Sequence, residues 1–231
     1  MTPSKMPLVV LISGNGSNLQ AIIDAIHDGR IHGEIRAVIS NSPRAYGLER
    51  ARQAGIPARV VDHRDFDDRE AFDRELARVI DGLAPDLVVM AGFMRILTEG
   101  FVDRYHGRLI NIHPSLLPRY RGLDTHARAL TDGATEHGAS VHFVTPELDA
   151  GPVIIQARIP VRDDDTPETL QKRVHAEEHH IYPQAVAWFA EGRLRLGEDG
   201  VHFDDRRVSE PAILDDDRLH LPVVHYPRGE Q

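Results

Sequence analysis

Asn111-Ile-His113-Pro-Ser-Leu-Leu-Pro118 carries residue types that the exit of an apolar strand, Leu109-Ile-Asn-Ile112, does not need. They are an amide, an imidazole and two prolines. Asn111 and His113 are two positions apart, so an extended chain points both side chains the same way. The amide can donate a hydrogen bond to an oxyanion, and the imidazole can move a proton near neutral pH. A second polar patch, Glu147-Leu-Asp149-Ala-Gly-Pro152, offers a carboxylate to orient and charge that ring. Asp149 also suits the turn chemistry of Asp-Ala-Gly-Pro. An amide, a His and an Asp with no Ser or Cys nucleophile point to direct transfer of an acyl-level group.

Ser13-Gly-Asn-Gly-Ser-Asn18 lies between an apolar run, Leu8-Val-Val-Leu-Ile12, and a helical pattern starting at Asn18. Backbone N–H groups at such a helix start can close around an anion, with Ser17 and Asn18 as further donors. The dinucleotide fingerprint is missing: position 19 is Leu, and the second strand runs into Ser40 and Asn41 without an acidic residue. The nucleotide-triphosphate loop is missing too, because no Gly-Lys-Ser/Thr follows. The loop suits one phosphate group, with an ordinary tight strand-to-helix turn as the plainer reading. His175-Ala-Glu-Glu178-His179 matches the inverted zinc-protease pattern, with two His one helical turn apart. Zinc would require a third protein ligand, so a polar or substrate-contacting helix face is the preferred reading. Arg95 follows Met90-Ala-Gly-Phe-Met94 at a strand end, where open α/β sheets place their ligands; a surface arginine is the alternative.

The elements that must position these groups alternate. Strands are expected at Leu8–Ile12, Ile35–Ile39, Ala58–Val61, Asp86–Met90 and Leu109–Ile112. Between them, helical spacing runs over Asn18–Ile26, Gly47–Ala54, Asp67–Ile80 and Phe101–Tyr105. This order implies an α/β fold, a Rossmann-like doubly wound and mostly parallel sheet with flanking helices. Further on, His126–Thr131 reads as a helix. Ala139–Val144 alternates like a half-exposed strand, able to pair with Val153–Ile159. A long helix follows over Thr166–Ala190, with Thr166 as N-cap and Pro167 at its first position. Pro183 inside it is expected to kink or break it. Arg193–Leu196 and Val201–Phe203 flank Gly-Glu-Asp-Gly as a hairpin. One domain over residues 7–205 is expected, with 206–231 an irregular, loosely held C-terminal tail.

Composition bounds the function. The chain has 231 residues, 36 acidic against 27 basic side chains, and a formal net charge of −9. Nucleic acid is therefore not an expected partner, because phosphate backbones need a basic face. The absence of cysteine excludes disulfides and thiolate zinc sites and fits a reducing cytoplasm. No apolar run approaches the roughly 18 residues that cross a bilayer, so no membrane association is expected. Cytoplasmic localisation, small-molecule substrates and a monomer or homodimer complete these expectations.

Several stretches, in order along residues 7–196, resemble the phosphoribosylglycinamide formyltransferase family, folate-dependent enzymes of purine biosynthesis. They are Leu11–Leu19, Ala91–Leu97, Asn111–Pro118, Gly138–Val144 and Leu148–Ile154. The Ser-Leu-Leu-Pro segment with a later Asp-x-Gly is shared by formyltransferases generally. The Gly-Ser-Asn loop, with Glu178-His179-x-Ile-Tyr-Pro183, narrows the resemblance to the purine enzymes. It implies the formyltransferase fold, 10-formyltetrahydrofolate as co-substrate, glycinamide ribonucleotide as acceptor and no metal. By position it implies catalysis by Asn111, His113 and Asp149. Gly16, Ser17 and Asn18 would hold the ribonucleotide phosphate, and His175, Ala176, Glu177 and Glu178 the rest of that substrate. Arg69, Met94, Arg95, Ile96, Leu97, Asn111, Thr145, Pro146, Glu147, Leu148 and Asp149 would line the folate site. One departure is Asp124, where the family usually has His or Asn.

Other folate-dependent formyl enzymes act on methionyl-tRNA or amino sugar nucleotides, or hydrolyse the donor. The tRNA-acting kind usually carries an extra basic C-terminal domain, and the hydrolysing kind an N-terminal regulatory one. Here the tail is short and acidic and the catalytic pattern starts almost at once. A non-catalytic phosphosugar-binding module would use the glycine loop without the Asn111, His113 and Asp149 set.

Overall fold

The computed structural model of the chain describes residues 4–225. Strand β1 (Met6–Ile12) is an interior strand of the main sheet, and Leu8 to Ile12 have no exposed surface. Such a run must be covered on both faces. Around it stand β2 (Gly33–Ser40), β3 (Ala58–Val60), β4 (Leu87–Met90) and β5 (Leu109–His113), all parallel. Strand β6 (Glu136–Phe143) is antiparallel to β5, and β7 (Val153–Pro160) is antiparallel to β6. Alternate residues of β1 feed two cores. Leu8, Val10 and Ile12 pack with helices α1 (Ser17–His27) and α6 (Pro167–Ala190). Val9 and Leu11 pack with α3 (Arg69–Asp81) and α4 (Glu99–Arg104). The short helices α2 (Gly47–Gln53) and α5 (Thr125–Thr131) complete the first layer. The doubly wound, mostly parallel sheet expected from the strand–helix alternation is therefore present.

Three expectations differ. Strand β6 is not half exposed; all of it after Glu136 is buried. Ala139, Val141 and Phe143 join the α6 core. The opposite, polar edge is covered by the Ser-Leu-Leu-Pro segment. Ser140 Oγ donates to Ser115 O (2.6 Å) and accepts from Leu117 N (3.0 Å). Helix α6 does not end at Pro183. Around it Ile181, Tyr182, Ala185 and Val186 are buried, and Tyr182 Oη donates to the carbonyls of Met90 (2.8 Å) and Ile110 (3.2 Å). That packing outweighs the one backbone bond a helical proline removes.

Residues 206–225, expected to be irregular, form strands: β10 (Arg206–Glu210), β11 (Ala212–Asp215), β12 (Arg218–His220) and β13 (Val223–Val224). Strand β11 pairs parallel with β7, and β12 extends that sheet to nine strands in the order β12-β11-β7-β6-β5-β4-β1-β2-β3. Strands β10 and β13 join the expected hairpin, β8 (Leu194–Gly197) with β9 (Gly200–Phe203), in a four-stranded sheet. The acidic pairs in this region are turn residues. Asp204-Asp205 and Asp216-Asp217 all have positive φ, as two-residue hairpin turns demand.

Candidate active site

The candidate groups gather at the C-terminal ends of β1, β4 and β5. In β5, Asn111 and His113 share one face, and the antiparallel register with β6 sets His142 opposite Asn111 and Ser140 opposite His113. Asn111 Nδ2 donates to His142 Nε2 at 3.2 Å, and the Nδ1 of His142 donates to Phe143 O at 2.8 Å. Those two bonds define one neutral tautomer. Burial agrees, because it pushes the His142 pKa down. The other Asn111 amide hydrogen remains for a ligand oxygen.

His113 is buried. Its Nε2 donates to Tyr120 O at 2.9 Å, and its Nδ1 lies 3.4 Å from Asp149 Oδ2. The carbonyl is an acceptor, so Nε2 carries a hydrogen, and the carboxylate stands beside the other ring nitrogen. Asp149 sits in the left-handed region (φ 50°). Its Oδ2 accepts from Gly122 N (2.9 Å), and its Oδ1 lies 3.9 Å from His142 Nε2. Two residues on, Gly151 lets the loop turn back against β6; a Cβ there would stand 1.7 Å from Phe143 O.

The glycine loop forms a second subsite. Gly16 is the N-cap of α1 with φ 74°, and no side chain caps that helix. A Cβ at Gly16 would come within 2.7 Å of Gly47 Cα, so the loop lies directly on the start of α2. Gly47 N donates to Gly14 O (3.0 Å). Arg50 clamps the loop from α2, with Nε on Asn15 O and Nη2 on Asn15 Oδ1, both at 2.9 Å. Helix α6 closes the other side. Ser17 Oγ lies 2.6 Å from His175 Nε2, and His175 Nδ1 lies 2.8 Å from Glu178 Oε2, which also accepts from Asn18 Nδ2 (2.8 Å). The hydrogen bond to Glu178 raises the His175 pKa, against the pull of burial. The result is an uncapped helix start beside a His that favours its cationic form, both suited to an anion. A cleft of about 490 Å³ lined by Gly14–Asn18, Ala91, Gly92 and His175 opens there. A further cavity of about 400 Å³ between β3 and α3 is lined by none of the candidate residues.

The third cluster follows β4. Met94 and Ile96 are exposed apolar residues, as is Leu148 on the loop that carries Asp149. Arg95 lies over the Phe72 ring, 5.7 Å from its centroid. Arg69 is exposed in the first turn of α3. On the Asp149 loop, Thr145 Oγ1 donates to Glu147 O (3.4 Å) and Pro146 stands between them. Glu147 pairs with Arg121 at 2.6 Å.

Not every expected residue faces its cluster. Helical spacing puts His175 and Glu178 on the glycine loop, while Ala176 is exposed and Glu177 pairs with His180 instead (3.3 Å). The side chain of Leu97 belongs to the second core, which leaves its main chain for any ligand contact. Asp124 is exposed and makes no capping bond at the start of α5. His142 and Arg50 were missed. The polar pair Ser140 and His142 in an apolar strand was a signal for the first, but only the β5–β6 register gives it a partner.

Comparison with known proteins gives the family. The model of the formyl transferase family matches residues 6–186. The chain is 56% identical to the phosphoribosylglycinamide formyltransferase of Escherichia coli (strain K12) over 212 residues, which is 92% of this chain and 100% of that protein. It is 46% identical to the Haemophilus influenzae protein of the same name, over 90% of this chain and 99% of that one. Among solved structures, the phosphoribosylglycinamide formyltransferase of Coxiella burnetii superposes with a TM-score of 0.85 at 57% identity, covering 88% of this chain and 96% of that one.

Proposed function

Since the chain belongs to the formyl transferase family, we propose that it is a phosphoribosylglycinamide formyltransferase. It moves a formyl group from 10-formyltetrahydrofolate to the amine of glycinamide ribonucleotide, a step of purine biosynthesis. The observation that supports this reading is the Asp149 carboxylate 3.4 Å from the ring of His113, which shares one face of β5 with Asn111.

In this reading the acceptor amine attacks the formyl carbon, and a C–N bond forms as the carbonyl becomes a tetrahedral oxyanion. The free amide hydrogen of Asn111 donates to that oxygen, and His113 does so once its Nε2–H gives up the bond to Tyr120 O. Each preorganised donor of this kind is worth about 3 kcal/mol in rate. Asp149 holds the His113 charge and ring orientation. The proton released by the attacking nitrogen passes, through His113 or water, to the folate nitrogen as its bond to the formyl carbon breaks. No covalent enzyme intermediate is needed, and holding two substrates together supplies much of the remaining acceleration. Gly16, Ser17, Asn18, His175 and Glu178 take the ribonucleotide. The apolar Met94, Ile96 and Leu148, with Arg95, take the folate.

A spectrophotometric assay with both substrates tests the proposal. Wild-type protein is expected to turn over, and Asn111→Ala, His113→Ala and Asp149→Asn each to lower kcat by about 10²–10³ with the fold intact. Near-normal turnover in His113→Ala removes the assigned role. Ribonucleotide binding without any transfer in the wild type would instead favour a phosphosugar-binding module. We place the reaction in the cytoplasm, as the cysteine-free composition suits, in a monomer or homodimer. Among the described residues no helix is long and apolar enough to cross a membrane.

A further inference from the structure

The loop between β4 and α4 carries Met94, Arg95 and Ile96 towards the donor side of the site, and it is fastened at two points. At its start, Met94 N donates to Ser13 Oγ (2.8 Å), and Ser13 N donates to Gly92 O (3.1 Å). At its end, Thr98 N donates to Asp73 Oδ2 at 2.6 Å. Asp73 projects from α3, the helix behind the loop, and only 3% of it is exposed. Its other oxygen, Oδ1, is buried without a hydrogen-bond partner. A carboxylate in such a place is costly unless something needs it. Burial accordingly pushes its pKa up, while the Thr98 bonds and the charges of Arg69 and Arg95 pull it down. The neighbourhood is cationic and lies on the donor side: Arg69 and Arg95 flank the carboxylate, and Arg95 rests on Phe72, the residue before it. Nothing in the folding of α3 requires an acid at this position, since its N-cap is Asp68, bonded to Ala71 N at 2.6 Å.

We propose that Asp73 is a positioning residue for the formyl donor: its buried carboxylate fixes the Thr98 end of the β4–α4 loop, which carries Met94, Arg95 and Ile96. Asp73 touches neither substrate; it holds the main chain that does. The inference rests on the donor site proposed above.

Steady-state kinetics with 10-formyltetrahydrofolate and glycinamide ribonucleotide tests it, using the full chain. Wild-type turnover comes first; its absence sinks the proposed activity and leaves no donor to position. With the wild type active, Asp73→Ala is expected to raise the donor KM at least tenfold, with the acceptor KM and kcat within about threefold. Asp73→Asn keeps an acceptor for Thr98 N but loses the charge, so it should fall between, with a donor KM three- to fivefold above wild type. Amide exchange over residues 93–98 should quicken in the same order. If Asp73→Ala does not fold, Asp73→Asn decides. A donor KM equal to wild type in the Asn variant, or equal losses for both substrates, overturns the inference.

Discussion

At the residue scale, each side chain of the site is held by a partner of its own. Phe143 O fixes the His142 tautomer, His142 aims the Asn111 amide, and Tyr120 O with Asp149 brackets His113. Two histidines outside that set make opposite predictions. His175 has a raised pKa because Glu178 stabilises its charged form. Its charge, and the help it gives a phosphate, is complete below the ordinary His value of about 6.5 and is lost as pH rises through the raised value. The ribonucleotide KM should therefore climb over that window, by roughly fivefold for about 1 kcal/mol. His175→Gln should flatten the climb; an unchanged profile would exclude a phosphate role for the ring. His137, which has no exposed surface, is pushed down to about 4, chiefly by burial. A depressed value means stability present above pH 6.5 and lost as pH falls towards 4, by about 3 kcal/mol. Urea midpoints for wild type and His137→Asn across that range should show a shallower acid limb in the variant.

At the element scale, glycine decides how closely loops approach strands. Gly151 is where the Asp149 loop returns to β6, and a methyl group there would overlap Phe143 O. Backbone cannot step aside as a flexible side chain can, so β6 and the loop would part. Gly151→Ala should cost about 2–3 kcal/mol of stability and displace Asp149 from His113, lowering kcat far more than the ribonucleotide KM. Normal kcat with Gly151→Ala would mean that the loop position does not matter to the chemistry. The helices and strands around this loop were mostly legible, because their period is a local property: the β1 run and the α1, α3 and α6 stripes needed no partner to be read. Strand β6 was read as half exposed because Ser140 and His142 look like solvent-facing residues, yet they face a buried polar site. The break offered as one outcome at Pro183 does not occur, since α6 is held by tertiary packing.

At the scale of the whole molecule, the C-terminal segment is part of the sheet. Ala212 is fully buried in the first core, and β11 pairs with β7 over four residues, Ala212–Asp215. Deleting residues from 206 onwards would open the β7 edge and uncover that contact. The melting midpoint should fall by roughly 5–10 °C, for a loss of about 2–3 kcal/mol. A deletion variant that melts with the full chain would make this segment a mere appendage. Its order was hidden because short strands separated by Asp-Asp turns have the composition of a polar tail; only a neighbouring strand edge makes them structure.

The linear order of residues was enough for the alternating α/β plan, the glycine loop ahead of α1 and the Asn111–His113 pair, because each depends on neighbours a few positions away. Which groups meet was decided in three dimensions. His142 opposite Asn111, Asp149 beside His113 and Asp73 under Thr98 depend on strand register and helix placement, 25 to 36 positions apart in the chain. No local periodicity encodes such distances. They are set by burial of the two faces of one sheet, which leaves a single register in which the apolar side chains are covered and the polar ones have partners.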